Sequence, residues 1–274
     1  MKRMRILFLG DVVGETGRMV FEKHIQQLRQ EHQIDALVVN GENSAGSGKG
    51  ITPQVVEFFK TNGVNVITTG NHIWQKSEIY PYLQANTDLL RPANFPRETP
   101  GVGVTTFNCD GVLIGVINIQ GRVFMRELLA CPFRTVESIL IYLKDKTNII
   151  FVDFHAETTS EKMAMGFFLD GKVTGMVGTH THVQTADERI LPGGTAYITD
   201  LGMAGSLNSM IGMKKDPIIK QLISQMPTRY MVETEPPYFM TGAWIEFDVQ
   251  TGKALAISRV RVDDTDEMQI PDSQ

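Results

Sequence analysis

The run Gly178-Thr179-His180-Thr181-His182 puts two imidazoles one residue apart, directly after the apolar stretch Val173 to Val177. On a strand, side chains at i and i+2 point the same way, so both rings are expected to face one site. Neutral imidazole suits Zn, Fe, Mn or Ni rather than Mg or Ca. A His-x-His pair alone does not make a metal site, so carboxylates and amides must come from elsewhere in the chain.

They come at a recurrent place. The apolar run Arg5 to Leu9 closes on Gly10-Asp11, Ala36 to Val39 on Asn40-Gly41-Glu42-Asn43, Val64 to Thr69 on Gly70-Asn71-His72, and Asn148 to Phe154 on His155-Ala156-Glu157. Each run reads as a strand, and in open α/β sheets ligands gather outside the carboxyl ends of strands. The candidate ligands are therefore Asp11, Glu42, Asn43, Asn71, His155, His180 and His182. That set is too large for one tetrahedral ion. Two metal ions about 3.5 to 4 Å apart, sharing a carboxylate and a hydroxide, would use it and drive in-line attack on phosphorus or acyl carbon. Two divalent ions against Asp11 and Glu42 leave a charge of about +2, or about +1 with hydroxide, which attracts a phosphodiester anion.

The elements that must hold these residues alternate. A helical pattern with Phe21, Ile25 and Leu28 follows the first strand, and Thr52-Pro53 opens a second helix burying Val55, Val56 and Phe59. The loop Ser44 to Gly50 is glycine-rich but lacks the P-loop order, and reads as an active-site rim. Ser77 to Ala85 reads as helical, and Pro92, Pro96 and Pro100 mark an irregular surface connection. Val104 to Phe107 and Val112 to Ile119 form a hairpin across Asp110-Gly111. Pro132 opens a helix with Val136, Ile139, Leu140 and Leu143 on its core face, and Ser160-Glu161 starts a short one. Thr195 to Ile198 reads as a strand and Asp200 to Asn208 as a loop. Asp216-Pro217 caps a helix expected to turn Ile219, Leu222, Ile223 and Met226 inward, and Phe239 to Asp248 with Ala254 to Val262 make a closing hairpin. One domain is expected over residues 1–262, with an acidic tail over 263–274 expected to lack fixed structure.

The chain has 274 residues, 42% hydrophobic and 21% charged, with a formal net charge of −5. This balance offers no basic footprint for bulk nucleic acid or an anionic membrane surface, so a negatively charged substrate must be attracted locally. The apolar run Ile6 to Leu9 is too short for a signal-peptide core, and nothing approaches the length of a membrane span. Cys109 and Cys131 do not make a disulfide framework and fit a reducing compartment, so a cytoplasmic protein is expected. A homo-oligomer is expected as well.

In order, Gly10-Asp11, Gly41-Glu42-Asn43, Gly70-Asn71-His72, a lone strand-end His155 and Gly178 to His182 resemble the calcineurin-like metallophosphoesterase superfamily, and within it the YmdB-like phosphodiesterases. The resemblance covers nearly the whole chain. It implies a four-layer αββα sandwich of two mixed β-sheets flanked by helices. It also implies one metal on Asp11, Glu42, Asn43 and His182 and a second on Glu42, Asn71, His155 and His180, with Glu42 bridging. Val13 stands where most of the superfamily has a histidine ligand, and Glu42 where most have an aspartate; both departures match the YmdB-like branch. An oxygen from Asn43 in place of a nitrogen favours Fe, with Mn as the alternative, over Zn. His72 is assigned to stabilising the phosphorane or protonating the leaving oxygen; the alternative is that it orients Asn71. The activity implied is attack of a metal-bridging hydroxide on small cyclic nucleotides, either 2′,3′-cyclic nucleotides or cyclic AMP. The rivals are a phosphomonoesterase of the 5′-nucleotidase type and a metal-bound regulatory protein of low turnover.

Overall fold

The computed structural model describes residues 2–265. Its strands are β1 (Arg3–Leu9), β2 (Asp11–Val12), β3 (Ala36–Asn40), β4 (Val66–Thr68), β5 (Val104–Cys109), β6 (Val112–Gln120), β7 (Ile150–His155), β8 (Gly175–Thr179), β9 (Arg189–Ile190), β10 (Ala196–Ile198), β11 (Met203–Ser206), β12 (Tyr238–Asp248) and β13 (Ala254–Asp264). The helices are α1 (Gly14–Glu31), α2 (Pro53–Thr61), α3 (Tyr80–Ala85), α4 (Pro132–Leu143), α5 (Thr159–Leu169) and α6 (Lys215–Ser224). Two single 3₁₀ turns, Ile73–Gln75 and Ser77–Ile79, lead into α3.

The strands form two mixed sheets. The first runs β2-β11-β12-β1-β3-β4, with β13 on the other edge of β12; the second runs β5-β6-β7-β8-β10-β9. In the first, β1, β3 and β4 are parallel, and in the second β6, β7, β8 and β10 are parallel. Strand alternation gives each sheet two apolar faces. Ile6, Phe8, Val38 and Ile245 from one sheet meet Ile114, Val116, Phe151 and Val177 from the other. The opposite face of the first sheet, through Leu7, Leu9, Leu37 and Val39, packs on Phe21, Ile25, Val56 and Phe59 of α1 and α2. That of the second, through Ile117, Ile119, Val152 and Phe154, packs on Val136, Leu143, Met165 and Leu169 of α4 and α5. The result is the expected four-layer αββα sandwich.

Local signals explain the helix starts. Thr52 accepts from the Val55 N–H with Pro53 at the first helical turn, and Thr158 accepts likewise from Glu161 at α5. Three readings of the sequence change. Ile219, Leu222, Ile223 and Met226 are 44%, 62%, 80% and 64% exposed, so the apolar stripe of α6 faces solvent and not the core. The stretch read as a loop over Asp200 to Asn208 contains β11, which pairs with both β2 and β12. The final strand runs to Asp264, two residues past the expected boundary, because the buried Asp264 carboxylate takes Lys23 Nζ at 2.9 Å and His24 Nε2 at 2.6 Å from α1. The expectation for 266–274 lies outside the described residues. No helix among the described residues is long and apolar enough to cross a membrane.

Candidate metal centre

All the candidate ligands follow parallel strands. Asp11 opens β2 after β1, Glu42 and Asn43 follow β3, Asn71 follows β4, His155 ends β7, and His180 and His182 follow β8. The two sheets thus present their carboxyl ends to one another, and the residues meet there. Asn40 ties the sheets below the site: its Nδ2 reaches Thr179 Oγ1 at 3.3 Å, and its Oδ1 takes the Glu42 N–H at 3.1 Å. Gly70 permits the closest approach, since a Cβ there would overlap the His155 ring.

Strand alternation is not what orients the two histidines of the opening motif. Both lie beyond β8, with φ of +103° at His180 and +64° at His182, a region that non-glycine residues seldom enter. The turn is fixed by carboxylates: His180 N–H donates to Asp11 Oδ2 at 3.1 Å, and Thr181 N–H to Asp200 Oδ2 at 3.1 Å. Asp200 is itself paired with Lys162 at 2.6 Å, both side chains being buried. The rings therefore diverge, His180 towards His155 and His182 towards Asp11.

Two overlapping clusters result. In the first, His155 Nε2 lies 3.0 Å from His180 Nδ1, 3.1 Å from Asn71 Oδ1 and 3.2 Å from Glu42 Oε1. In the second, Asn43 Nδ2 lies 3.2 Å from Asp11 Oδ1, 3.3 Å from Glu42 Oε1 and 3.1 Å from His182 Nε2. Glu42 belongs to both. Its Oε2 takes the His72 N–H at 3.0 Å, and His72 Nδ1 lies 2.8 Å from Asn43 Oδ1.

The tautomers show what such a cluster demands. Thr179 Oγ1 donates to Asp153 Oδ1 at 2.7 Å, so it can only accept from His155 Nδ1–H, 3.0 Å away. His180 Nε2–H faces Glu157 Oε2 at 3.0 Å, and His182 Nδ1–H donates to the Ile211 carbonyl at 3.0 Å. With the outer nitrogens protonated, the neutral form of each ring turns a lone pair inward: His155 Nε2 onto the Glu42 and Asn71 oxygens, His180 Nδ1 onto His155 Nε2, and His182 Nε2 onto the Asn43 NH₂. Around His155 those lone pairs meet oxygens with no donor between them, which calls for a cation; in the second cluster the Asn43 NH₂ is the donor between Asp11, Glu42 and His182. The donors fit a metal ion: Glu42, His155 and His180 each offer an atom within 4.8 Å of the others, and Asp11 and His182 adjoin through Asn43. Asn43 differs from the expectation in one respect, since its NH₂ and not its carbonyl faces the second cluster. Ligation through Oδ1 requires the amide to turn over.

The titration of the bare protein reflects the same demand. Burial works against a charged His155, but Glu42, Asp11 and Asp153 outweigh it and raise the ring to about 9. Burial and the neighbouring His155 push His180 down to about 3. Burial opposes ionisation of Glu42 too, yet His155 and His72 hold it well below the usual carboxylate range. Burial raises Asp153 to about 6, against the hydrogen bonds from Thr68 and Thr179.

Some residues were not singled out from sequence. Glu157, Asp153, Thr179, Lys162 and Asp200 orient the candidate ligands without belonging to them. The usable signal was a charged or hydroxylic residue inside an otherwise apolar strand, as Asp153 is in β7. Nearby, Asn94 is buried between the Gln120 and Ala130 carbonyls, and Arg91 is buried on the Pro92 carbonyl. His72 keeps a partly exposed ring beside the clusters.

A four-layer sandwich with carboxylate, amide and imidazole side chains clustered at the carboxyl ends of both sheets is the metallophosphoesterase class of fold. The family profile described as YmdB-like protein matches residues 7–260, and the chain belongs to that family. It is 44% identical over 261 residues to a Bacillus subtilis protein named 2′,3′-cyclic-nucleotide 2′-phosphodiesterase, covering 95% of this chain and 98% of that one. Of solved structures, one from Mycoplasma pneumoniae described as a novel phosphatase superposes with a TM-score of 0.90 at 36% identity, covering 97% and 95% of the two chains. A hypothetical protein from Thermus thermophilus gives 0.88 at 34% identity, covering 95% and 100%.

Proposed function

We propose that the chain is a dinuclear metal-dependent phosphodiesterase that hydrolyses small cyclic nucleotides, 2′,3′-cyclic nucleotides in the first place and cyclic AMP as a further substrate. The observation that carries this reading is the grouping of Glu42, His155 and His180, each offering a ligand atom within 4.8 Å of the others, with Asp11 and His182 adjoining through Asn43. The name of the Bacillus relative supports the diester substrate. Asp11, Glu42, Asn43 and His182 would hold one ion, and Glu42, Asn71, His155 and His180 the other, with Fe favoured and Mn next. When bound, the pair supplies an activated water and neutralises charge on the phosphate.

The chain's own residues do the rest. If the Asn43 amide turns its oxygen inward, its NH₂ meets His72 Nδ1, which then accepts and leaves the proton on Nε2. In that tautomer the His72 Nε2–H can hydrogen-bond to the oxygen on which negative charge builds and so stabilise the phosphorane. Lys49 and Arg126 add positive charge along the adjoining cavities. A phosphomonoesterase is the second reading, favoured by the naming of the similar Mycoplasma structure as a phosphatase.

Elemental analysis of freshly purified protein, with turnover on 2′,3′-cyclic AMP, 3′,5′-cyclic AMP and the matching monoesters, tests the proposal. Two equivalents of metal and faster diester cleavage are expected. One equivalent or less in active enzyme overturns the dinuclear centre, and equal or faster monoester cleavage overturns the diesterase in favour of the phosphatase.

A further inference from the structure

Two cavities, of about 330 and 320 Å³, adjoin at the ligand cluster. One is bounded by Asn71 and by Phe124, Met125 and Arg126 of the loop after β6. The other is bounded by Glu42, Asn43 and His182 and by Ile211, Met213 and Tyr230. Lys49, His72 and His180 line both. The centre therefore sits at the elbow of a two-armed cleft, with the Asn71 cluster opening into one arm and the His182 cluster into the other.

Each arm carries an aromatic ring. Phe124 is 88% exposed and has a φ of +61°, a conformation that is an outlier for a bulky side chain. The loop beneath it is fixed: the Glu161 carboxylate takes the N–H groups of Arg122 and Val123 at 3.0 and 3.1 Å, and Gln120 Nε2 donates to Glu127 at 2.9 Å. A large ring presented to water on a pinned loop, at the mouth of a phosphate-type site, suits a flat partner that covers it. Tyr230, 39% exposed, stands in the second arm beside the buried Met213. Both ester oxygens of a 2′,3′-cyclic mononucleotide close on one ribose, and its single base fills only one arm.

We propose that the site also takes open diesters bearing a nucleoside on each ester oxygen, the class of dinucleoside phosphates, with one base stacked on Phe124 and the other against Tyr230. The inference rests on the diesterase reading above. Water adds to phosphorus while the P–O bond to one nucleoside breaks. The products are a nucleotide monoester and a nucleoside whose oxygen has taken one proton of the water; nothing is oxidised or reduced. Stacking tolerates any base, so the preference is for shape and not for sequence.

The test uses the metal-loaded protein with 2′,3′-cyclic AMP and a dinucleoside monophosphate lacking the 2′-hydroxyl next to the scissile bond, which excludes self-cleavage. On the dinucleotide, Phe124→Ala and Tyr230→Ala should each raise KM by roughly 5- to 100-fold, with kcat little changed. On cyclic AMP only one of the two should matter. Phe124→Trp should restore KM and lose indole fluorescence on binding a non-hydrolysable phosphorothioate dinucleotide. Turnover of cyclic AMP without turnover of the dinucleotide overturns this inference alone, as does an unchanged KM in both alanine variants. A change in sedimenting mass with unchanged KM also overturns it, since Phe124 is then a contact between copies. Turnover of neither substrate overturns the diesterase reading and this inference with it.

Discussion

His155 is held through Nδ1 by Thr179, 3.0 Å away, and the Thr179 hydroxyl is committed to Asp153. The relay from carboxylate to hydroxyl to imidazole keeps Nε2 as the ring nitrogen that faces Asn71, His180 and Glu42. Thr179→Val preserves shape and removes the acceptor, so the ring is free to take the wrong tautomer. Metal affinity should fall by about 10- to 100-fold, the usual span for loss of a hydrogen bond that orients a ligand. Titration of metal into the stripped protein, followed by calorimetry, checks this; unchanged affinity would show that the relay does not govern the ring.

The relay is hidden in the sequence because Asp153 lies within an apolar run that reads as a plain buried strand, and Thr179 beside His180 carries no sign of its partner on another strand. Ligand positions were legible for the converse reason: a polar residue just after an apolar run falls at a strand end whatever the register. The orientation of His180 and His182 was not legible, since it depends on left-handed backbone held by Asp11 and Asp200, residues far away in the chain. The layers followed from strand–helix alternation. Yet α4 and α6 have similar stripes, and only α4 buries part of its own, at Val136 and Leu143. A periodic stripe records that a helix is amphipathic, while burial depends on which surface the chain brings against it.

The buried pair Lys162–Asp200 supports the turn that carries both histidines. Lys162→Met leaves the Asp200 charge buried without its partner, which should cost about 3 to 5 kcal/mol of stability. The double variant Lys162→Met/Asp200→Asn should recover part of that loss while keeping an acceptor for the Thr181 N–H. Denaturant unfolding of the three proteins decides, and a single variant as stable as the parent would remove the pair from this role.

The bare protein should lose stability in alkali in a way the metal-loaded protein does not. His155 is raised to about 9 in the fold, from an ordinary value near 6.5 in the unfolded chain. Between these values the folded state binds a proton that the unfolded state does not, so the slope of stability against pH is negative there. This contribution is complete below about 6.5 and is lost as pH rises through about 9. A bound ion takes over the lone pair and removes the slope. Thermal melts from pH 6 to 10, with and without chelator, read the difference; parallel curves would sink the assignment.

Glu42→Gln and His72→Ala separate binding from chemistry because the two residues touch each other yet are given different work. Glu42 faces both clusters, through Asn43 Nδ2 at 3.3 Å and His155 Nε2 at 3.2 Å. Its amide analogue keeps the shape but removes the charge that the proposed pair of ions would share. Metal occupancy and activity should therefore fall together. His72 contacts Glu42 through its backbone N–H, which alanine retains, and its ring reaches only Asn43 and the Glu42 edge. His72→Ala should accordingly keep both ions and lower turnover on 2′,3′-cyclic AMP by roughly 10² to 10⁴ fold, the span of a general acid or base. If His72 instead orients Asn43 or Asn71, occupancy will drop in this variant as well. The loss should also be smaller with a substrate whose leaving group needs no proton, such as a nitrophenyl ester, if the ring acts as the acid. A Glu42→Gln protein that binds two ions and turns over normally would remove the shared carboxylate from the centre of the site.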